Sequence, residues 1–563
     1  MTTIAIVGTG PSAIYALQAL LECRLPLQIT LFEAGKTAGV GTPYDPQSNS
    51  VEMLANIASI EIPPVGVTLL DYLAACDDAT LQAIGISRAT LCEREFYPRI
   101  ALGAYYRDGL AALVDGASPH GHAVTVLTQC RVVDVIPTAT GADVRYVARG
   151  ARPLCQHADK VILATGHVVP TSRPSRAQPS IVDRKSSHRR IGILGSSLSA
   201  IDVAVSAATA RGGFGATGYT PLEAMLYSIT MMSRGGRLPE ADFFCPLPAE
   251  PSKGFTEEDV SAIVEKAEAG TILDRVFERF AAVLAAEDPA YASRIKLDSL
   301  SADRFPDAYF AQRDAYSPFE WARINLEEAR LNHRNQHIVA WRYAILRSHE
   351  AFGTCLDALS DDEMTRFNRG LKRVFADNYA AVPPRSIDRL LSLHDSGILD
   401  LVKLEEGYEI EFDEQTGGSR VMNGGSTLIF DELVDARGQA IAGEDEFPFP
   451  TLRIMLKANR DIDGEREGEA VAVDGSYRLV EGINTLRDIW CLSIPFLLSR
   501  KPFIQGLTSA AEMGQAAARA IISDVEIPSE FEETRIGELI NTITTTQPIM
   551  LADRAVILAP KNA

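Results

Sequence analysis

The hydrophobic pattern along the chain alternates between two periods. Residues 3–7 form an unbroken, β-branched run that stops at Gly8, and residues 14–21 repeat apolar positions at helical spacing. A second apolar run over 27–32 ends at Glu33. Strand, tight turn, helix and strand in that order predict a βαβ unit. Runs at 123–127, 131–136, 144–148 and 160–163 predict further strands, the last leading into Ala164-Thr165-Gly166-His167. Residues 168–187 are rich in Pro, Ser and Arg without periodicity, which reads as a linker or crossover loop.

The opening pattern then recurs. Residues 190–194 predict a strand, 195–200 a glycine- and serine-bearing turn, and 201–208 an apolar helix. A glycine-rich interruption at 212–218 precedes a strand at 228–232. From about 256 to 393 the spacing is helical with many charged faces. Strands return at 408–412 and 432–434, the second leading into Asp435-Ala436-Arg437-Gly438, a weaker echo of residues 164–166. A glycine-led helix is predicted over 506–522, and a polar, Thr-rich segment follows Asp524.

Composition narrows the partners. A chain of 563 residues, 46% hydrophobic and 23% charged, has the make-up of two or three packed domains. Lys+Arg 54 against Asp+Glu 74 gives a net charge of −20, which repels nucleic acid and anionic lipid alike. No apolar run approaches the roughly 20 residues that span a bilayer. The eight cysteines are scattered with no C-x-x-C pair, which excludes an adjacent redox dithiol and the usual thiolate zinc site. A reduced, cytoplasmic location is the expectation. The strand at the very start agrees, since it leaves no room for a signal peptide.

Two turns carry the chemistry. In Gly8-x-Gly10-x-x-Ala13, Gly8 permits the tight strand exit, Gly10 admits a pyrophosphate to the backbone, and Ala13 lets helix and strand pack closely. Pro11 and Ser12 open the helix, whose amino terminus attracts phosphate. Glu33, about 20 residues on, suits the hydroxyls of an adenosine ribose. The second turn, Gly195-Ser196-Ser197-Leu198-Ser199-Ala200, has serine at the second glycine position. The strand after it ends at Ser233-Arg234, with Arg237 close by, so an arginine fork stands where a carboxylate would select NADH. That favours the 2′-phosphate of NADPH. Two such sites imply hydride transfer from NADPH to a flavin, with FAD at the first. The predicted fold class is therefore α/β: two Rossmann-like domains, a discontinuous FAD domain with an inserted NADPH domain, plus a helical insertion.

The order of these motifs, ending in Asp435-Ala436-Arg437-Gly438, resembles the two-dinucleotide-domain flavoproteins. Gly39-Val40-Gly41-Thr42-Pro43-Tyr44, Met53-Leu54-Ala55-Asn56 and the segments around 341–347 and 384–393 resemble a narrower group. It contains the aspartate N-monooxygenase (nitrosuccinate synthase) of cremeomycin biosynthesis and the FAD-dependent urate hydroxylases. The resemblance covers roughly residues 1–525. It implies FAD contacts from Tyr44, Asn56, the Val133 backbone, Thr165, Gly166, Thr508 and Ser509. It also implies an oxygen adduct at the flavin C4a, so that the flavin performs the chemistry and no side-chain catalyst is assigned. The expected reaction is NADPH-dependent N-hydroxylation of a small amino acid, aspartate first, using O₂. Carbon hydroxylation of a urate-like purine is the alternative. An FAD/NADPH reductase without oxygen transfer and a non-catalytic FAD-binding module also remain open. Arg342 is the favoured substrate contact, His167 a second, and no metal site is expected.

The expected organisation assigns 1–180 and 439–525 to the FAD domain, 186–250 and 396–438 to the NADPH domain, 251–395 to a helical insertion covering the active site, and 526–563 to a tail.

Overall fold

The computed structural model describes residues 1–166 and 188–526, apart from 216, 223–225, 248, 413–417, 439–440, 464–470, 482–483 and 505. Six strands form the first sheet, in the order Arg478–Glu481, Asn484–Cys491, Lys160–Leu163, Thr2–Val7, Leu27–Phe32 and Ala123–Leu127. All neighbours are parallel except the first pair. Residues 4–7 are an unbroken apolar run because both faces of their strand are covered. Ile4 and Ile6 pack under the helices Pro11–Leu20, Arg99–Ala117 and Gly506–Glu526. Ala5 and Val7 pack against an antiparallel meander of Cys130–Thr138, Gly141–Ala148 and Leu154–Ala158.

The second sheet repeats this plan. Leu399–Lys403, Leu226–Ser233, His188–Leu194 and Glu432–Asp435 are all parallel. Ile191 and Ile193 pack against the helices Leu198–Thr209 and Pro384–Asp395. Leu194 packs on the other side, against a meander formed by Glu409–Phe412, Ser419–Asn423 and Ser426–Phe430. The fold is thus α/β with two Rossmann-like units. The glycine-rich segment at 212–218 forms a hairpin, Gly212–Gly215 with Gly218–Pro221.

Helices between Glu257–Val264 and Leu371–Tyr379 build a separate core of phenylalanines in edge-on and tilted contact, among them Phe255, Phe280, Phe352 and Phe375. Phe503 reaches into that core from the first unit and meets Phe367, Phe375 and Tyr379 edge-on. The helical layer is thereby anchored beside the Gly506 helix. The expected linker at 168–187 and the segment beyond 526 lie outside the described residues. No helix among the described residues is long and apolar enough to cross a membrane.

Candidate functional site

A cavity of about 2600 Å³ lies between the two parallel sheets and the helical layer. Its first wall is the turn after Thr2–Val7. Gly8 sits at φ +103°, and a Cβ there would stand 2.1 Å from the Ala164 carbonyl oxygen, so only glycine fits. Gly10 differs: its backbone is extended, and a Cβ would meet only Gly41 Cα at 3.6 Å. The fold therefore does not itself demand glycine at 10, which leaves room for a ligand as the reason. The helix Pro11–Leu20 has no side-chain cap, so its first N–H groups are open to an anion at the cavity. Ala13 is fully buried beneath the turn, while Gly8, Gly10, Pro11 and Ser12 line the cavity.

Glu33 ends the next strand at the cavity edge. It accepts hydrogen bonds from the Thr9 hydroxyl and from the Gly35 amide at 2.6 Å. The Gly39 amide donates in turn to Thr9 Oγ1 at 3.1 Å, which ties the next loop to this carboxylate. That loop is pressed close by the Arg99–Ala117 helix, where a Cβ on Gly103 would lie 2.4 Å from the Tyr44 carbonyl oxygen. Tyr44 and Asn56 line the cavity. Burial pushes the Tyr44 hydroxyl up to about 12, with Arg99 opposing the rise. Asn56 Oδ1 is buried and has no hydrogen-bond partner. An orphaned acceptor on a cavity wall marks the place of a missing donor. Thr165 is held from behind, its amide and hydroxyl bonded to Ser493 Oγ at 3.0 and 2.8 Å. Gly166, Thr508 and Ser509 complete this side.

The second turn follows the same rule. Gly195 has φ +120°, and its Cβ would stand 2.6 Å from the Ala436 carbonyl oxygen. Gly195, Ser196, Ser197, Ser199, Ser233 and Arg234 all line the cavity. The Ser196 hydroxyl lies within hydrogen-bond distance of Ser233 Oγ, at 2.9 Å, and of the Arg237 carbonyl, at 2.7 Å, so it shapes the turn. Ser197 occupies the position before the helix Leu198–Thr209 in extended conformation and makes no capping bond. Arg99 joins the two units through Asp202 at 2.7 Å while also donating to the Leu54 carbonyl at 3.3 Å.

The structure corrects two expected contacts. Arg342 does not line the cavity: it is buried, ion-paired to Glu240, and stacked on Phe243 at 4.8 Å. Burial lowers its pKa to about 10. Trp321 Nε1 also donates to Glu240 at 2.8 Å, so Arg342 belongs to a structural network. Arg347, further along the same helix, lines the cavity instead, with its guanidinium paired to Glu287 at 3.0 Å and its Nε unpartnered. Val133 likewise misses the cavity, because the strand bulges between Val132 and Asp134; Arg131 and Val132 line it. His167 lies outside the described residues.

Sequence reasoning expected a helical layer here but did not single out the polar residues of its wall. The wall carries Glu257, Glu350, His349 and Ser252 and faces Glu512 of the Gly506 helix. Burial, with Glu350 and Glu257 adding repulsion, holds the Glu512 carboxyl above its ordinary range. Burial lowers the pKa of His349. Ser252 is 4% exposed and its hydroxyl has no partner. These residues come from three stretches distant in sequence, 252–257, 349–350 and 512, none with a local motif. No group of metal-ligating side chains occurs among the described residues.

A family described as FAD-NAD(P)-binding matches residues 5–168, and one described as YdhS-like middle domain matches 256–379. The uncharacterized protein YdhS of Escherichia coli (strain K12) is 40% identical over 534 residues, covering 93% of this chain and 98% of that protein. The chain belongs to the YdhS family. Among solved structures, the ornithine N-hydroxylase KtzI of Kutzneria sp. 744 is similar at 12% identity, with 93% of this chain and 99% of that one covered and a TM-score of 0.46. The lysine monooxygenase NbtG of Nocardia farcinica gives 10%, 92%, 98% and 0.46 on the same measures. The bacillithiol disulfide reductase of Bacillus cereus gives 11%, 93%, 99% and 0.42. Residues 5–168 of this YdhS-family chain match an FAD-NAD(P)-binding domain, which agrees with a dinucleotide at the first turn. The turn around Gly8, Glu33 and the orphaned Asn56 acceptor fit FAD, and the turn around Gly195 fits the nicotinamide nucleotide.

Proposed function

We propose that this protein is a flavin monooxygenase that takes hydride from NADPH and N-hydroxylates a small amino compound. One observation carries the reading: the FAD turn, the nicotinamide turn and the middle-domain helices all line one cavity. Bound FAD supplies hydride acceptance and oxygen activation. The chain's part is to orient both nucleotides, keep water from the reacting face, and prepare the substrate. In this reading Gly8, Gly10, Pro11, Ser12, Glu33, Tyr44, Asn56, Thr165, Gly166, Thr508 and Ser509 hold FAD, while Gly195, Ser196, Ser197, Ser199, Ser233 and Arg234 hold NADPH.

Aspartate is the first substrate candidate from the sequence resemblance. The helical wall favours an added positive charge, because Glu257, Glu350 and Glu512 stand together there with the unpartnered Ser252 hydroxyl. An amine must be neutral to attack an electrophilic oxygen. Glu512, whose carboxyl is held above the usual range, is suited to take the ammonium proton at its carboxylate oxygen.

The test is aerobic NADPH consumption by the FAD-loaded protein with aspartate, glutamate, lysine, ornithine or urate, with peroxide and oxidised nitrogen products measured together. Substrate-dependent hydroxylamine or nitro product without matching peroxide supports the reading. Peroxide alone with every compound, together with fast reduction of an artificial acceptor, replaces it with a reductase. In the active case kcat/KM falls toward acid pH as Glu512 takes up a proton, and Glu512→Gln removes that limb. The same substitution raises stability at neutral pH. A carboxyl whose folded pKa lies above 4.5 favours the fold at low pH and loses that contribution as pH rises through the folded value.

A further inference from the structure

A smaller cavity of about 320 Å³ opens beside the second turn and shares Arg234 with the large one. Four cations line it, Arg234, Arg237, Arg373 and Lys403, against Asp307 and Asp314. Arg237 is already committed: both its Nε and Nη2 donate to Asp314 at 2.5 Å, and its guanidinium lies 4.2 Å from the Phe310 ring centre. Arg234, Arg373 and Lys403 have no carboxylate partner among the described residues. Arg373 lies over the same Phe310 ring at 5.6 Å. Burial and the nearby charges of Arg237 and Arg234 push its pKa below the ordinary arginine range, with Asp307 and Asp314 opposing the fall. Four cations against two carboxylates, one of them already paired with Arg237, leave an excess of positive charge that an anion would offset.

The two sheets say which anion. In the first, the Gly8 amide bonds to the Phe32 carbonyl, and the next residue is Glu33, suited to a ribose. In the second, the Gly195 amide bonds to the Met232 carbonyl, and the next residues are Ser233 and Arg234. The ribose of a nucleotide on the second turn therefore falls at the mouth of the smaller cavity. Lys403 pairs in register with Ser233 on the neighbouring strand, and a Cβ on Gly236 would lie 2.8 Å from Lys403 Cβ, which fixes the lysine stem beside this loop. Arg373 comes from elsewhere, the middle-domain helix Leu371–Tyr379.

We propose that Arg234, Lys403 and Arg373 form the site for the 2′-phosphate of NADPH, and that the middle domain completes it through Arg373. Bound NADPH then ties the helical layer to the second sheet. The proposal rests on the reading of the second turn as a nicotinamide nucleotide site.

The experiment measures binding of 2′,5′-ADP and 5′-AMP to the full-length, FAD-loaded protein by calorimetry, with anaerobic flavin reduction by NADPH and NADH alongside. The wild type is expected to prefer 2′,5′-ADP by about tenfold or more, as charge-assisted phosphate bonds imply. Arg373→Gln and Lys403→Gln should each remove most of that preference while leaving 5′-AMP affinity and FAD content in place. Both side chains are exposed, so folding does not depend on them. Equal affinity for the two probes in the wild type, or an intact preference in Arg373→Gln, overturns the proposal. Equal reduction by NADPH and NADH overturns it while the reductive reading stands. Reduction by neither overturns both.

Discussion

The two parallel-sheet units solve the same backbone problem with the same residue and then part over their ligands. Gly8 and Gly195 each exit a central strand at positive φ, and each faces a carbonyl that a Cβ would strike, Ala164 in one case and Ala436 in the other. Two residues on, the units diverge: Gly10 against Ser197, both in extended backbone. The first glycine of the motif is thus a demand of the chain crossing behind it, and the second is set by what binds. The residue after the adjoining strand diverges in the same way, with Glu33 in one unit and Ser233-Arg234 in the other.

The largest expected effect tests the shared glycine. Gly8→Ala meets both an unfavourable φ and a backbone oxygen at 2.1 Å, and should lose about 2–6 kcal/mol of stability in denaturant melts. Gly195→Ala should lose somewhat less, since its clash is at 2.6 Å. A neutral result at either position would break the comparison. Next comes Glu33→Gln, which should keep the fold and weaken FAD retention by about 1.5–3 kcal/mol, the loss of charge-assisted bonds to a ribose. Gly10→Ala should leave apoprotein melting nearly unchanged and lower FAD affinity, measured by flavin fluorescence on titration. Smallest is Asn56→Ala. Removing a buried, unpartnered acceptor should stabilise the apoprotein slightly and cost the FAD complex about 1 kcal/mol. Opposite signs in the two states would identify Asn56 as a flavin contact.

Both dinucleotide turns were legible because their chemistry is local: a few consecutive residues carry the turn, the helix start and the strand. The strands at 160–163 and 123–127 were legible for the same reason, as short apolar runs between polar turns. Of the second meander only the strand at 408–412 was legible; Ser419–Asn423, Ser426–Phe430, Leu399–Lys403 and Asn484–Cys491 were not. Their sequences are polar or interrupted, and they become strands by pairing with neighbours distant in the chain. The site divides along the same line. Glu33 and Arg234 follow from position after a strand, whereas Glu512, Glu350 and Arg373 join the cavities only through packing. Arg342 shows the opposite error. An arginine between two aromatic residues resembles a ligand contact, but its partner Glu240 lies on a remote loop that no local pattern reveals.

The helix Gly506–Glu526 lies so close on Pro11–Leu20 that a Cβ on Gly514 would come within 2.7 Å of the Ala16 amide nitrogen. The bond between Thr165 and Ser493 spans 328 residues. During synthesis at about 5–20 residues per second, the first strands and the FAD turn leave the ribosome tens of seconds before their covering helix exists. The nicotinamide unit and the phenylalanine-rich helices are complete within that interval. Among the described residues the first dinucleotide site is therefore the last part to close, and the newborn amino-terminal sheet waits with one apolar flank uncovered.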